Sequence, residues 1–290
     1  MKRRQELNLS LKDLEEISGV TKKTIIRIEK DGHIPSVETI LALSTALKTD
    51  LLKTLSPTWL ENIFDMSNLS ELKYMVEKML DDNQFSNLPD ILEMLNNIFD
   101  NLVDQDLSLY LYQIILFLDG IFLDTKERDF KLASENFLEA LALTVRGFDI
   151  NHFESFPYNY FESRILMNAA LSLNKLGEFE FSKKIFLFLL KIVDKKSQIY
   201  ISILHNLSIF KAREKQYKQS LTLINRAIDF SNKFRNFSKL HTSYYHRGII
   251  EYNLGLENFR NSFELSKSLA TAYGYDDFLK FLEEKMKKYI

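Results

Sequence analysis

Apolar residues in the first 55 positions recur every three or four residues, which is the spacing of short amphipathic helices. The repeating positions are Leu11, Leu14 and Ile17, then Ile25 and Ile28, then Val37, Ile40, Leu41, Leu43 and Leu47. Ser10 with Asp13 three residues later is typical of a capping box, and Gly19 is typical of the residue past a helix C-terminus. Thr21 and Ser36 are suited to cap the next two helices. The pattern predicts three short helices, joined by tight turns, after a short N-terminal one.

A domain boundary is expected after the first 55 residues. Residues 56–68 open with Ser56 and Pro57, and the apolar Trp59, Ile63 and Phe64 follow at helical spacing. Because proline suits the first turn of a helix, this stretch predicts a linker helix with an apolar face. We therefore expect a small domain over residues 1–55, a linker helix over 56–68 and a larger helical domain over 69–290.

The larger segment contains an internal repeat of a helix, a tight turn and a second helix. The three clearest copies begin with NAALSLNKLG at Asn168, NLSIFKAREK at Asn206 and HRGIIEYNLG at His246. Matching positions of the first two copies lie 38 residues apart: Phe179 and Tyr217, Ser182 and Ser220, Phe186 and Ile224. In the third copy we expect a turn that is one residue shorter, which places Phe259 opposite Ser220. Repeats of this length are typical of helical solenoids.

Composition supports an all-α fold, because turns and strands need glycine and proline, and the chain has only 8 Gly and 4 Pro. The chain has no cysteine, which excludes disulfides, thiol nucleophiles and thiolate metal sites. The formal net charge is -2, so any nucleic-acid binding must come from a local basic patch. Residues 1–55 favour such a patch, since they hold ten Lys and Arg against eight Asp and Glu.

The N-terminus is charged at once and lacks the apolar core of a signal peptide. The richest apolar run, over residues 107–123, contains Asp119 and Gln113 and predicts a buried helix rather than a membrane span. These features predict a cytoplasmic protein.

Residues 10–47, SLKDLEEISGVTKKTIIRIEKDGHIPSVETILALSTAL, resemble the lambda-repressor/Cro-type helix-turn-helix family, and the resemblance extends over about residues 1–53. It implies that Leu14, Ile17 and Val20 pack inward around the turn at Gly19, and that Glu29 is the acidic residue closing the recognition helix. The other face of that helix would enter a major groove and contact bases and phosphates. The candidate DNA-binding residues are Thr21, Lys22, Lys23, Thr24 and Arg27.

The resemblance has three departures. Ile26 stands where the family often has a phosphate-contacting Ser, and Leu11 stands where many members have Gln. The first helix is also short, because family members usually have several more residues before the Arg that matches Arg4, which leaves open a misassigned start or a trimmed domain. The competing interpretation is a solvated basic face on a small structural domain.

The repeats resemble tetratricopeptide units, with a longer period. A small helix-turn-helix domain joined to such repeats is similar to the peptide-pheromone regulators of the PlcR/Rgg/Rap kind, and most similar to the PlcR-like members that keep the DNA-binding domain. The resemblance implies a right-handed superhelix of tetratricopeptide-like helical hairpins. It also implies a concave groove that takes a short imported signalling peptide.

Three polar residues occupy the same position in successive first helices of the repeats. Asn168, Asn206 and His246 would form a ladder along the groove, where an Asn amide can both donate to and accept from a peptide backbone. One turn earlier, on the same face, lie Arg164, Ser202 and Thr242, of which Arg164 is suited to hold a carboxylate. The competing interpretation is that the Asn side chains bridge neighbouring helices inside the solenoid.

No catalytic residue is identified, because the sequence has no P-loop, no GxGxxG, no GxSxG and no paired acid and base. The five His residues lack metal-ligand spacing, so neither a metal nor a cofactor is expected. The expected function is a transcriptional regulator, acting as a homodimer on a near-palindromic operator and controlled by a short peptide. Two alternatives stay open: a protein-interaction regulator whose groove binds a partner protein, and a phage-type repressor whose repeats serve only dimerisation.

Overall fold

A computed structural model describes residues 2–31, 35–49, 51, 76, 79–80, 85, 87–100 and 105–289. Every regular element in these residues is helical, so the prediction of an all-α fold is confirmed. The chain divides into two compact units, Met1–Glu178 and Phe179–Ile290. The predicted linker helix over residues 56–68 lies outside the described residues.

The first unit holds the N-terminal helices and the first repeat helices. Its described helices are α1 (Lys2–Glu6), α2 (Leu11–Ser18), α3 (Lys22–Asp31), α4 (Val37–Ala46), α5 (Leu88–Asp100), α6 (Gln105–Phe122), α7 (Phe130–Thr144) and α8 (Tyr160–Lys175). A π-helical turn follows α6 and a 3₁₀ segment precedes α8, over Leu123–Glu127 and Ile150–Ser155. The second unit contains α9 (Phe179–Ile192), α10 (Gln198–Arg213), α11 (Tyr217–Phe234), α12 (Leu240–Asn253), α13 (Phe259–Ala272) and α14 (Asp276–Met286).

Local side-chain caps set the ends of the N-terminal helices as the sequence predicts. The Ser10 hydroxyl accepts a hydrogen bond from the Asp13 amide at 3.1 Å, and the Asp13 carboxylate accepts one from the Ser10 amide at 2.7 Å. Gly19 ends α2 with φ 71, a left-handed conformation that glycine adopts without steric cost. Thr21 and Ser36 cap α3 and α4 by accepting bonds from backbone amides three residues later.

One residue that the sequence assigns to the core of this N-terminal bundle is not part of it. Leu14 and Ile25 are buried with residues of α4, and Val20 packs against them. Ile17, however, is 53% exposed. At about 100° per residue, Leu11 and Ser18 lie on one side of Leu14, whereas Ile17 lies about 60° away on the other side. The core covers the first side only, which leaves Ile17 in solvent.

The repeat predicted from the sequence is present, with a different offset in its third copy. Helices α9 and α11 begin 38 residues apart, at Phe179 and Tyr217. The matched pairs are buried: Ser182 with Ser220, and Phe186 with Ile224. The placement of Phe259 opposite Ser220 was wrong. Phe259 opens α13 as Tyr217 opens α11, and Ser262 is the buried serine, because the turn after Gly255 is longer rather than shorter.

Paired repeat helices approach closely where small residues lie at their crossings. Ser208 on α10 and Ser220 on α11 are both buried, and each hydroxyl donates to the other residue's carbonyl oxygen, at 2.9 and 2.7 Å. On α12, a Cβ added at Gly248 would lie 2.6 Å from the Phe263 ring of α13. Gly120 on α6 is placed in the same way against Phe137 of α7.

One described helix, Ser108–Glu127 around α6, is long and apolar enough to cross a membrane by length and composition alone. Phe117 and Leu118 of this helix are buried, and the Phe117 ring lies 5.9 Å from that of Phe137 on α7. A core helix of a folded domain meets the same two criteria, so α6 serves the packing of the first unit.

The Gly248 contact yields the first prediction. We expect Gly248→Ala to lower the free energy of unfolding by about 1–3 kcal/mol, because the new methyl group overlaps a buried ring and this cost exceeds the gain in helix propensity. Urea unfolding measures the change. The exposed Lys267→Ala on α13 is the control and should be nearly neutral. In the double variant Gly248→Ala/Phe263→Leu, the loss in free energy of unfolding should be smaller than the sum of the two single losses, because the smaller side chain removes the overlap. A loss equal to that sum would contradict the overlap.

Candidate nucleic-acid interface and ligand groove

Helix α3 presents the five predicted DNA-binding residues on and around its N-terminal half. Lys22, Lys23 and Arg27 are exposed, while Ile25 on the opposite face is buried in the core. Lys23 and Arg27 lie one turn apart and share a face. Thr21 and Thr24 lie at the capped start of the helix, where their hydroxyls form a hydrogen bond of 2.9 Å with each other. The basic surface is therefore formed by the two Lys and the Arg.

The angle between α2 and α3 is held by a contact across the turn. The Lys22 amide donates a hydrogen bond to the Glu15 carboxylate of α2 at 2.8 Å. This bond satisfies one of the free amides at the start of α3. Gly19 between the helices allows the sharp change of direction, so α3 stands at a fixed angle to α2 with its basic face outward.

A half-buried ion pair anchors the other end of α3. Arg4 of α1 makes a bidentate contact with Glu29, from Nε to Oε1 and from Nη2 to Oε2, each at 3.0 Å. The side chains are only 13% and 11% exposed. The Arg4 guanidinium lowers the pKa of Glu29, mainly through these hydrogen bonds. The resemblance points to both residues, but their pairing is a contact across 25 positions that no local pattern shows.

Arg3 also has a structural role. Its Nε donates to the Leu47 carbonyl oxygen at 3.2 Å and its Nη2 to that of Lys48 at 3.4 Å. An arginine at the free carbonyls of a helix C-terminus is favourable, so Arg3 ties α1 to the end of α4. Two of the basic residues in the N-terminal segment are thus used for folding.

The predicted groove residues divide between the two units. Arg164 and Asn168 lie on α8 in the first unit; the others lie on α10 and α12 in the second, namely Ser202, Asn206, Thr242 and His246. Asn168 Nδ2 donates to the Arg164 carbonyl oxygen at 2.9 Å, and Asn206 Nδ2 donates to that of Ser202 at 2.8 Å. Both amides therefore have the same orientation within their helices, and each retains an oxygen and a second N–H for another partner.

The remaining groove residues differ in exposure. Arg164 is half-buried, and its Nη2 donates to the Tyr160 hydroxyl at 3.2 Å. The Thr242 hydroxyl donates to the Lys239 carbonyl oxygen at 2.9 Å. Ser202 is 3% exposed, and its hydroxyl is turned into the packed helices rather than toward a surface. His246 is 9% exposed, so its ring also lies largely inside the helix pair.

His246 belongs to a group of imidazoles that sequence reasoning did not bring together. The rings of His205 on α10 and His246 on α12 are 5.7 Å apart, and His205 Nδ1 lies 3.1 Å from the Ser243 hydroxyl. His241 stacks on Tyr275 at 4.3 Å. His246 Nε2 and His241 Nδ1 are buried without a hydrogen-bond partner among the described residues. In the described part of the chain, no three His, Asp or Glu side chains are placed to hold a metal ion.

These imidazoles yield a prediction on pH. Burial lowers the pKa of both His241 and His246 to about 4, so the unfolded chain binds their protons first as the pH falls. Their contribution to stability is complete above the ordinary His pKa of about 6.5 and is lost as the pH falls from there to about 4, on the order of 2 kcal/mol for each. Urea unfolding at pH 7 and pH 4.5 measures this loss.

The variants His241→Gln and His246→Gln should each reduce that pH dependence. Asn253→Ala, at the exposed end of α12, removes no titrating group and is expected to keep the wild-type dependence. Equal slopes for all four proteins would show that His241 and His246 do not govern acid stability.

Comparison with known proteins agrees with this organisation. Residues 1–53 match a helix-turn-helix family model, so the N-terminal segment is a helix-turn-helix domain. No curated protein gives a significant sequence match. The whole fold resembles PlcR from Bacillus thuringiensis in complex with the peptide PapR7 and DNA, with a TM-score of 0.60 and 15% identity, covering 97% of this chain and 96% of that chain.

Two further solved structures show the same likeness. The apo form of Bacillus thuringiensis PlcR has a TM-score of 0.58 and 14% identity, covering 98% of this chain and 99% of that chain. BtubC from P. vanneervenii has a TM-score of 0.50 and 15% identity, covering 83% of this chain and 93% of that chain. At these identities the likeness establishes the fold. The chain is an all-α protein in which a helix-turn-helix domain precedes a helical repeat domain, as in PlcR.

Proposed function

We propose that this protein is a sequence-specific DNA-binding transcriptional regulator whose repeat domain binds a short signalling peptide that controls DNA binding. The observation that carries the proposal is the exposed basic face of α3, held outward by the Gly19 turn and the Arg4–Glu29 pair. The solved PlcR complex, which contains both a peptide and DNA, supports the combination of the two ligands because its fold is shared along nearly the whole chain.

The chemistry of the α3 face fits duplex DNA. Arg27 and the two Lys side chains can donate to phosphate oxygens or to the acceptor edge of guanine in the major groove. One such domain reads only half of a site, so a tight binder acts as a two-fold homodimer on a near-palindromic operator. The dimer contacts expected around Trp59, Ile63 and Phe64 lie outside the described residues. The proposed location is the cytoplasm, where the DNA is.

The chemistry of the groove residues fits a peptide backbone. Each Asn has one N–H engaged within its own helix, so its oxygen can accept from a peptide N–H and its second N–H can donate to a peptide carbonyl. Arg164 adds a cation suited to a carboxylate. Because main-chain groups recur in every peptide, such contacts hold an extended ligand with little regard to its side chains.

The DNA-binding proposal predicts the effect of removing the basic face. The variant Lys22→Ala/Lys23→Ala/Arg27→Ala should lose affinity by about 1–3 kcal/mol for each base read. Each lost phosphate contact should reduce the slope of log K against log salt by about 0.9. The measurement is fluorescence anisotropy over a salt series, with duplexes selected by the wild-type protein from a random-sequence pool.

A control for charge alone replaces three exposed lysines of the repeat helices by Ala. Lys131, Lys184 and Lys191 serve this purpose. The control should bind DNA nearly as the wild type does. Unchanged affinity in the α3 variant would refute the assignment of α3 as the recognition helix.

The peptide proposal predicts that Asn168→Ala and Asn206→Ala abolish the peptide response while stability changes little, because each amide lies at the edge of the helix packing. The probe is the peptide fraction of the producing organism's culture medium, and the readout is DNA affinity with and without it. Asn253→Ala is the matched control, since Asn253 makes the same intrahelical bond, to the Ile249 carbonyl oxygen at 2.7 Å, outside the groove.

Thermal melts of the three Asn variants separate binding from folding. A groove variant that melts several degrees below the control, yet keeps a normal peptide response, would show that the amides are structural. In that case the groove assignment is wrong, whereas the DNA-binding proposal is unaffected.

A further inference from the structure

An arginine of the repeat domain reaches the turn of the helix-turn-helix. Arg146 follows α7 in the loop that leads to α8, and it is exposed. Its Nη1 lies 3.6 Å from the position that a Cβ on Gly19 would take. The side chain therefore lies against the turn between α2 and α3. The two domains also meet where α4 contacts α6.

The turn beside Arg146 carries charges of both signs, because the Glu15 carboxylate accepts a hydrogen bond from the Lys22 amide there at 2.8 Å. No described carboxylate forms an ion pair with the Arg146 guanidinium, which leaves five donors in a fixed fork without an acidic partner. Gly19 is three residues from Lys22, whose side chain is exposed together with that of Lys23. Arg146 at the Gly19 turn and the exposed Lys22 and Lys23 at the start of α3 therefore form no ion pair with a described carboxylate, and they lie at the end of α3 that enters the major groove of DNA in the proposed function.

The position of Arg146 is tied to α8 by a buried hydrogen-bond network. Gln113 of α6 donates to the Ala140 carbonyl oxygen at 2.8 Å and to the Thr144 hydroxyl at 2.7 Å. Thr144 in turn donates to Glu162 Oε1 at 2.7 Å, and Glu162 caps the start of α8. Gln113 and Glu162 are both almost completely buried. Thr144, the member of this network nearest to Arg146 in the chain, precedes it by two residues, so the network fixes the backbone just before the arginine.

The same helix α8 carries the groove residues Arg164 and Asn168. A displacement of α8 by a ligand would move Glu162, and through Thr144 it would move the loop that holds Arg146. Hydrogen-bond networks are one physical route by which two sites are coupled, and a double-mutant cycle measures whether this one is.

We propose that Arg146 is a DNA-backbone contact supplied by the repeat domain, and that the Gln113–Thr144–Glu162 network sets its position. The inference rests on the proposed function, since it needs DNA on the α3 face. In this arrangement the repeat domain takes a direct part in DNA binding, and the guanidinium bonds a phosphate beside the turn at Gly19.

The first test uses duplex DNA selected by the full-length wild-type protein, titrated by anisotropy over a salt series. Arg146→Ala should lower affinity by about three- to tenfold at low salt and reduce the salt slope by about 0.9 for each protomer bound. Arg146→Lys should keep the slope, because the charge remains. Lys131→Ala removes one exposed charge from the same unit and should match the wild type.

The second test is a double-mutant cycle with Thr144→Val, a substitution of similar volume that removes both hydroxyl hydrogen bonds. If the network positions Arg146, the loss caused by Arg146→Ala should be smaller in the Thr144→Val background. Thermal melts confirm that each variant is folded.

The outcomes are distinct. If Arg146→Ala behaves as Lys131→Ala does, the phosphate contact is refuted, and additive losses in the cycle refute the positioning by the network. If the wild-type protein selects no DNA, or if the α3 variant binds as well as the wild type, the proposed function itself fails.

Discussion

Close approach of paired helices is the constraint on which the repeat domain depends. A single helical hairpin cannot bury its apolar face, so each must pack on its neighbours, and the contact is close only where a crossing point carries a small residue. The Ser208–Ser220 pair and Gly248 meet that need in different ways, by reciprocal hydrogen bonds and by space for a ring. Because the helices are paired in the same way, the first helices of successive hairpins within a unit carry polar residues at matching positions.

The helices of the DNA-binding domain are linked by charged side chains, whereas those of the repeat domain pack as similar hairpins. The core of the DNA-binding domain is small, and the Arg4–Glu29 pair with the Arg3 contacts supplies fixed links between helices that are distant in sequence. Removing Arg4 would leave the half-buried Glu29 carboxylate without its bidentate partner, so Arg4 is not interchangeable with the arginines that face solvent. The basic residues of the segment therefore have two roles: Arg3 and Arg4 link helices, whereas Lys22, Lys23 and Arg27 are exposed on α3.

Local features of the fold were predictable from the sequence, and long-range contacts were not. The caps at Ser10 and Gly19 depend on residues within four positions, and both are confirmed. Ile17 was misplaced because helical spacing alone does not show which side of Leu14 the core covers. The register of Phe259 was missed because two extra turn residues leave no pattern. The position of Arg146 beside Gly19 joins residues far apart in the chain, which no spacing rule reports.

The division into units bears on how a peptide would exert control. Helix α3, the Arg146 loop and α8 belong to the first unit, whereas Asn206 and His246 belong to the second. A ligand changes DNA affinity only if it binds one arrangement of the DNA-binding unit better than another. In the proposed function, contacts to Arg164 and Asn168 would act on the unit that holds α3, through the network that ends beside Arg146.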